Sequence, residues 1–198
     1  DGVTELAKHG IKRVALAPFI HRGVRTWTAP EPIATARAFH RTLDGYRMSP
    51  LVEIPTIAAQ LGVGRVFLKD ESERLGLPAF KILGASWAVA KSLALRLEVE
   101  LDSVSLDALR VAIAGAPLTL VGIRARIYTP AGVSAAALNG IRSEGAELIE
   151  LDQAYDDVVR VAAASVQENG SELLIQDTSW PDYEDVPRWI VEGYTTLF

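Results

Sequence analysis

The clearest pattern in the sequence is a helical repeat of apolar residues between positions 82 and 97. Leu83, Trp87 and Ala90 recur three or four residues apart, and the repeat runs on to Leu97. An α-helix turns once every 3.6 residues, so side chains at this spacing share one face. The pattern therefore predicts an amphipathic helix that buries this face.

Shorter apolar patches on both sides of this helix predict further elements. Helical spacing and turn residues predict helices over residues 3–8, 34–44, 57–61, 106–113, 134–143 and 156–168. Short apolar runs predict strands over residues 14–20, 65–69, 117–121, 126–129, 147–151 and 173–176. In the helix that begins at Ala34, the predicted apolar face is formed by Ala34, Ala38 and Phe39. Strands that alternate with helices of this length are typical of a parallel α/β sheet.

One junction breaks this alternation. Only four residues, 122–125, separate the predicted strands 117–121 and 126–129, whereas two parallel strands need a crossover of roughly a dozen residues or more. Either these strands form an antiparallel hairpin, or a helix is missing after Leu120, and the length rule favours the missing helix. The chain also begins without an initiator Met and ends at Phe198 within an apolar periodic segment. We therefore expect a piece of a longer protein.

Composition narrows the class of protein. The 198 residues are 49% hydrophobic and 23% charged, which is typical of a globular domain, and the net charge of −5 predicts no binding of nucleic acid. The absence of cysteine excludes disulfides and cysteine nucleophiles, and the spacing of His9, His21 and His40 predicts no metal site. No apolar run reaches the roughly 20 residues of a membrane span, and no signal peptide is recognisable. We expect a soluble, cytoplasmic protein.

Lys81 is the most informative single residue. It is the only charged side chain in residues 75–90, LGLPAFKILGASWAVA, and it stands at the start of the predicted long helix. Apolar surroundings disfavour the charged ammonium form, and a neutral amine is a nucleophile that can form a Schiff base with an aldehyde cofactor. The alternative is a surface lysine whose stem lies along a half-buried helix. The residues alone leave both interpretations open.

Asp177 follows the predicted strand 173–176 directly. Ligands of parallel α/β sheets bind beyond the carboxyl ends of the strands, so a carboxylate at this point is a candidate site residue. Asp177 is equally typical of a turn or a helix cap, like the neighbouring Thr178 and Ser179. Position alone favours the turn or cap.

Three stretches of sequence carry a more specific pattern. They comprise residues 49–51 with 61–72, residues 74–86, and residues 176–180 with 183–184, Pro187 and 193–196. Together they resemble the diaminopropionate ammonia-lyases, a family of pyridoxal-phosphate enzymes. The Phe80-Lys81 pair is shared with the wider fold type, whereas Gln-Asp-Thr-Ser-Trp at 176–180 is more particular to this family. The resemblance covers roughly residues 36–198.

The resemblance implies an α/β fold made of two parallel-sheet domains, like tryptophan synthase β, the arrangement called fold type II of pyridoxal-phosphate enzymes. The larger, cofactor-binding domain would comprise residues 1–83 and 173–198, and the smaller domain residues 84–172. The chain would hold this fold incompletely. A homodimer is the assembly that the resemblance implies.

The resemblance also implies the chemistry. Lys81 would hold pyridoxal 5′-phosphate covalently, with Phe80 beside it, and Asp177 would act as acid or base near the substrate α-carbon. The substrate would be a small amino acid, 2,3-diaminopropionate. Elimination of ammonia across its α and β carbons would give an aminoacrylate that hydrolyses to pyruvate.

The sequence departs from the family at one motif. The family has a Thr-Asp-Gly-Asn-His-Gly stretch after the strand that matches residues 118–121, and nothing here corresponds to it. The family's phosphate-binding loop would lie beyond Phe198. Two alternatives therefore stay open: a serine or threonine dehydratase-like enzyme of the same fold, and a non-catalytic remnant that keeps the fold without the chemistry.

Overall fold

A computed structural model describes residues 34–100, 102, 104–115, 124–168 and 172–197. Its elements in chain order are α1 (Ala34–Arg41), β1 (Leu51–Glu53), α2 (Pro55–Leu61), β2 (Phe67–Lys69), α3 (Lys81–Arg96), α4 (Leu106–Gly115), β3 (Arg126–Pro130), α5 (Ala135–Ser143), β4 (Glu147–Leu151), α6 (Tyr155–Glu168), α7 (Asp185–Tyr194) and the 3-10 helix Thr195–Leu197. Among these helices, none combines the length and the apolar character that a membrane crossing requires. The predicted elements at 3–8, 14–20 and 117–121, together with the junction after Leu120, lie outside the described residues.

The long predicted helix is confirmed as α3, with Leu83, Trp87 and Ala90 on its buried face. The predicted helices α2, α4, α5 and α6 and the predicted strands β2, β3 and β4 are also present, with ends shifted by a few residues. The start of α5 illustrates why local sequence sufficed. The Ser134 hydroxyl accepts a hydrogen bond from the Ala137 backbone N–H at 3.3 Å, which caps the first turn of the helix.

The strands form two separate pairs with opposite geometry. Strands β3 and β4 are parallel, with Arg126 opposite Glu147, and α5 connects them as a crossover helix, as predicted. Strands β1 and β2 are antiparallel, with Leu51 opposite Lys69, whereas the alternation of strands and helices predicts a parallel sheet. The cause lies in α2, which ends at Gly62 with φ 66°. Glycine tolerates this left-handed conformation, and the chain turns back there to run alongside β1 in the opposite direction.

The prediction of a strand over residues 173–176 is wrong. These residues are not a strand, and no β-strand pairs with them within the described part of the chain. The Tyr183 hydroxyl takes the place of a neighbouring strand: it donates to the Leu174 carbonyl at 2.9 Å and accepts from the Gln176 backbone N–H at 3.2 Å. Burial raises the pKa of Tyr183 to about 12. The phenol thus remains a hydrogen-bond donor at neutral pH.

The buried face of α1 also differs from the prediction. Phe39 is buried as expected, but Ala34 and Ala38 are exposed, and Ala36 and His40 are buried in their place. Residues 36, 39 and 40 share one helical face, and α1 turns this face toward α3, α7 and the 3-10 helix. The polarity of His40 concealed its place in the core.

Helices α3 and α7 cross at two glycines. A Cβ atom at Gly193 would lie 2.4 Å from the Leu83 carbonyl oxygen and 2.8 Å from the Gly84 Cα atom. A Cβ atom at Gly84 would lie 2.5 Å from the Tyr194 Cε1 atom. Real side chains never approach so closely, so the two backbones pack together only because both positions lack a side chain.

Buried apolar side chains surround this crossing. They include Ala36, Phe39, Trp87, Ala88, Ala94, Val104, Leu109, Trp189 and Ile190. The rings of Phe39 and Trp87 lie 5.5 Å apart, which joins α1 to α3. The indole N–H of Trp87 donates to the Glu192 carboxylate at 3.2 Å, which joins α3 to α7. One core thus holds these three helices together.

His40 crosslinks three elements from the centre of this core. Its Nε2 donates to the Leu83 carbonyl oxygen at 2.9 Å, and its Nδ1 accepts from the Thr196 hydroxyl at 2.8 Å. A carbonyl can only accept, so these contacts assign the proton of the neutral ring to Nε2. Burial lowers the pKa of His40 to about 4. If the ring were protonated, its Nδ1 could no longer accept a hydrogen bond from the Thr196 hydroxyl, and a charge would be buried in the core.

The helix crossing gives a first prediction. Gly193→Ala should lower the free energy of unfolding by about 2–3 kcal/mol, because the new methyl group meets backbone atoms that cannot move aside. Gly140→Ala is the matched control: it lies within α5 with no atom within 4 Å of the added Cβ, and it should be neutral or stabilising by up to about 1 kcal/mol. Denaturant unfolding of both variants measures the difference. Equal stability of the two variants would contradict the close packing.

The buried imidazole gives a second prediction. The unfolded chain binds a proton at His40 near pH 6.5, whereas the folded chain does so only near pH 4, so acid favours unfolding between these values. Between pH 7.5 and pH 4 this difference should remove about 3 kcal/mol of stability. His40→Gln should lack this contribution and show a flatter dependence on pH. Parallel denaturant curves from pH 4 to 7.5 test it, and identical slopes for variant and wild type would rule it out.

Candidate active site

Lys81 is the first residue of α3, and Phe80 precedes it as the N-cap without a side-chain cap. The Lys81 side chain is exposed, and among the described residues it makes no hydrogen bond or ion pair. The expected apolar enclosure is therefore not formed by its sequence neighbours, since Leu77 and Phe80 are themselves 47% and 37% exposed. A primary amine thus stands open at the beginning of the longest helix described.

A tight turn over residues 74–77 precedes Lys81. Arg74 and Leu77 pair as a short antiparallel bridge, with N–O distances of 2.9 and 3.0 Å. Between them Leu75 and Gly76 both have positive φ, 51° and 79°. Two successive left-handed residues are typical of a type I′ turn. The turn fixes where residues 78–80 enter α3, and with them the position of Lys81.

A buried arginine anchors this turn. Arg74 donates from Nε and Nη2 to the two carboxylate oxygens of Glu71, both at 2.7 Å. It also donates to the Arg47 carbonyl and to the Ser49 hydroxyl, each at 2.7 Å, and Ser49 in turn donates to Glu71. Hydrogen bonding from Arg74 lowers the pKa of Glu71 and, conversely, raises that of Arg74. The segment before Lys81 is thereby tied to residues 47–49.

The sequence alone does not distinguish this buried pair. The one feature of the sequence that could have indicated the pair is the opposite charge of Glu71 and Arg74 at a spacing of three residues. Such pairs are common at exposed surfaces, where they contribute little. Only the burial of the pair, with 3% and 12% of the Arg74 and Glu71 side chains exposed, distinguishes it.

Asp177 is exposed and follows residues 172–176, which form no helix or strand. It does not cap a helix, since α7 begins eight residues later with Glu184 as its N-cap. The Tyr155 hydroxyl donates to the Oδ1 atom of Asp177 at 3.2 Å. The bend that holds Asp177 is closed by Gln176, whose side-chain oxygen accepts from the Thr178 N–H at 2.6 Å. The Asp177 carboxylate thus points toward α6 instead of serving its own bend.

Tyr194 contacts the residue that precedes Lys81. Its ring meets Phe80 edge-to-face at a centroid distance of 5.2 Å. Burial, with the nearby charge of Asp177 as a second cause, raises the pKa of Tyr194. Tyr194 thus packs against Phe80, and the charge of Asp177 acts on its phenol. These residues are far apart in sequence.

This donor set fits part of an aldehyde cofactor site. Lys81 supplies an exposed primary amine, and Asp177 supplies an exposed carboxylate. Phe80 and Tyr194 supply aromatic surface beside the amine. Within the described residues no three His, Asp or Glu side chains cluster as metal ligands.

Comparison with known proteins decides the family. The family model for pyridoxal-phosphate-dependent enzymes matches residues 42–198, which is most of the chain and includes both Lys81 and Asp177. The chain belongs to the family of pyridoxal-phosphate-dependent enzymes. Pyridoxal phosphate is accordingly the cofactor of this family, and the open amine of Lys81 fits it.

Curated relatives make the resemblance more specific. The chain is 36% identical over 180 residues to diaminopropionate ammonia-lyase from Escherichia coli strain K12, covering 82% of this chain and 45% of that protein. It is 38% identical over 182 residues to the enzyme from Salmonella typhimurium, covering 81% and 45%. These matches confirm the resemblance. The chain spans about half the length of these relatives.

Solved structures agree with the sequence comparison. The apo form of Escherichia coli diaminopropionate ammonia-lyase superposes with a TM-score of 0.73 at 35% identity, covering 83% of this chain and 50% of that one. The same enzyme with an aminoacrylate–pyridoxal-phosphate azomethine intermediate gives 0.71 at 34%, covering 83% and 45%. Maize serine racemase gives 0.52 at 21%, covering 84% and 47%, which supports the fold alone. The expected α/β fold of type II is thus confirmed.

The anchor of the turn gives a third prediction. Arg74→Met should cost about 3 kcal/mol or more of unfolding free energy, because it leaves the Glu71 carboxylate partly buried without its partner. Arg65→Met is the matched control, since Arg65 and Glu53 pair with 64% and 39% of their side chains exposed, and the loss of stability should be much smaller there, because water screens an exposed ion pair. Denaturant unfolding measures both. A loss as small as that of the control would show that the buried pair does not hold the turn.

Proposed function

We propose that this chain is part of a carbon–nitrogen lyase that eliminates ammonia from 2,3-diaminopropionate. The observation that supports it most is the match to two curated diaminopropionate ammonia-lyases at 36% and 38% identity over about 180 residues. The aminoacrylate product would hydrolyse, so each substrate yields one pyruvate and two molecules of ammonia.

The chain's own residues divide the chemistry between them. Bound pyridoxal phosphate withdraws electrons from the substrate α-carbon, which weakens its C–H bond. Lys81 would hold the cofactor through its open amine, and the turn anchored by Arg74 keeps that amine in place. Asp177 would accept the proton from the α-carbon as the amino group leaves the β-carbon. Phe80 and Tyr194 would limit the access of water on their side of the amine.

The wider organisation is also part of this proposal. We expect a larger domain from residues 1–83 and 173–198 and a smaller one from residues 84–172, in a homodimer located in the cytoplasm. The division is supported by the parallel pair β3–β4 with its crossover helix inside the proposed smaller domain. The dimer and the location rest on the family resemblance and on the composition.

A serine or threonine dehydratase-like activity is the second candidate. One solved structure of the Escherichia coli relative is a complex with D-serine. A hydroxyl group at the β-carbon can leave by the same elimination as an amino group. The two candidates therefore differ in the leaving group and share the proposed roles of Lys81 and Asp177.

The proposed role of Lys81 is a fourth prediction. Purified protein mixed with pyridoxal phosphate should gain a visible absorbance band and release pyruvate from 2,3-diaminopropionate. Lys81→Ala should lose the band and at least about 100-fold in turnover, because no other amine replaces the nucleophile. Lys69→Arg is the matched control: it changes a lysine whose amine donates to the Ser49 carbonyl at 2.9 Å, a bond that arginine can also make. The control should keep both band and turnover.

Three outcomes would contradict parts of the proposal. Faster turnover of serine or threonine than of 2,3-diaminopropionate would favour the dehydratase. Wild-type protein that stays colourless with added cofactor would favour the non-catalytic remnant. A band that survives in Lys81→Ala would show that another residue holds the cofactor.

A further inference from the structure

Asp177 is met by a side chain from a distant part of the chain. Tyr155 is the first residue of α6, 22 positions before Asp177, and its hydroxyl donates to Oδ1 at 3.2 Å. In the proposed domain division these two residues belong to different domains. The pyridoxal-phosphate chemistry assigns no task to Tyr155, and its ring is 53% exposed, so packing does not require it there.

The chemistry of the pair favours a fixed donor. Burial, followed by the charge of Asp177 and the hydrogen bond to it, raises the pKa of Tyr155, and the neighbouring Asp156 acts in the same direction. The phenol therefore stays protonated throughout the range in which Asp177 would work. A protonated phenol can donate to a carboxylate oxygen, which can only accept, so the direction of this hydrogen bond is fixed.

The backbone beneath Asp177 needs such support. Residues 172–176 lack a neighbouring strand within the described chain, and Tyr183 bonds their backbone at Leu174 and Gln176. That contact fixes the main chain but leaves the Asp177 side chain free to rotate. Tyr155 is the described residue that hydrogen-bonds the carboxylate, and it leaves Oδ2 without a described partner.

We propose that Tyr155 is a positioning residue, whose hydroxyl holds Oδ1 of Asp177 so that Oδ2 faces the proton on the substrate α-carbon. This inference rests on the proposed function, in which Asp177 accepts that proton. Tyr194 on α7 is the second phenol near Asp177, and burial and the same charge raise its pKa. The Tyr194 ring packs against Phe80 and Gly84. Tyr155 is the tyrosine that donates a hydrogen bond to Asp177 directly.

The first test reads the contact without any reaction. Tyrosine labelled with ¹³C at Cζ allows each phenol to be titrated by NMR, and Tyr155→Phe identifies the Tyr155 signal. Asp177→Asn should lower the pKa of Tyr155, because it removes the negative charge that opposes ionisation. Asp182→Asn is the control: it makes the same change in charge on the same segment, and it should leave the Tyr155 titration unchanged. A Tyr155 titration unaffected by Asp177→Asn would overturn the contact.

The second test reads the consequence for the reaction. Tyr155→Phe should lower kcat for 2,3-diaminopropionate roughly 10- to 100-fold with little change in KM, as expected when a charged group loses a hydrogen bond. With substrate deuterated at the α-carbon, the isotope effect on kcat should rise, because proton removal becomes slower than the other steps. Partial unfolding would lower kcat and leave this ratio unchanged.

The control for the second test is Tyr128→Phe. The Tyr128 hydroxyl donates to the Ser165 hydroxyl at 2.9 Å, so the substitution removes a phenol that also bonds to α6 and does not reach Asp177. It should keep the wild-type kcat and isotope effect. An active wild type with an unchanged Tyr155→Phe would refute the positioning role while the proposed function stands. A wild type inactive on the substrate would instead refute the proposed function and, with it, the role of Tyr155.

Discussion

The close crossing of α3 and α7 is the constraint on which the candidate site depends. The backbones touch because Gly84 and Gly193 leave no Cβ atoms between them. The residue after Gly193 is Tyr194, and at this short separation its ring lies over Gly84 and reaches Phe80. With side chains at the crossing, α7 would stand further from α3, and the Tyr194 ring could not reach Phe80 at the start of α3. Packing between two helices thus determines which aromatic ring lies against Phe80, the residue before Lys81.

Lys81 and Asp177 are held in place by separate sets of contacts, as the separate roles proposed for them would require. Lys81 is placed through the backbone, by a left-handed turn that the buried Arg74–Glu71 pair ties to residues 47–49. Asp177 is placed through side chains, since tyrosine hydroxyls bond both its segment and its carboxylate. A substitution in one set of contacts therefore need not disturb the other.

Local pattern predicted the elements and the parallel β3–β4 pair, but not the antiparallel β1–β2 pair. The helices α3 and α5 were predictable because apolar spacing and a serine cap are encoded within a few residues. The antiparallel β1–β2 pair was not, since a short strand carries no record of its neighbour's direction. The run Leu-Leu-Ile at 173–175 reads as a strand, but a strand requires a partner, and a tyrosine hydroxyl took that place. The burial of His40 was not predicted, because a histidine is buried only where both ring nitrogens find hydrogen-bond partners, and those partners come from distant parts of the chain.

The candidate site shows the same division between sequence and structure. Lys81 stands out in the sequence as a lone charge in an apolar run, yet the apolar residues beside it along the chain do not cover it: Leu77 and Phe80 are themselves partly exposed. Desolvation of an amine requires atoms around it in space, and a run of apolar neighbours along a turn and a helix provides these on one side only. The family resemblance therefore carried more weight for Lys81 than its composition did. For Tyr155 neither sufficed, because a contact made across 22 residues appears only in the fold.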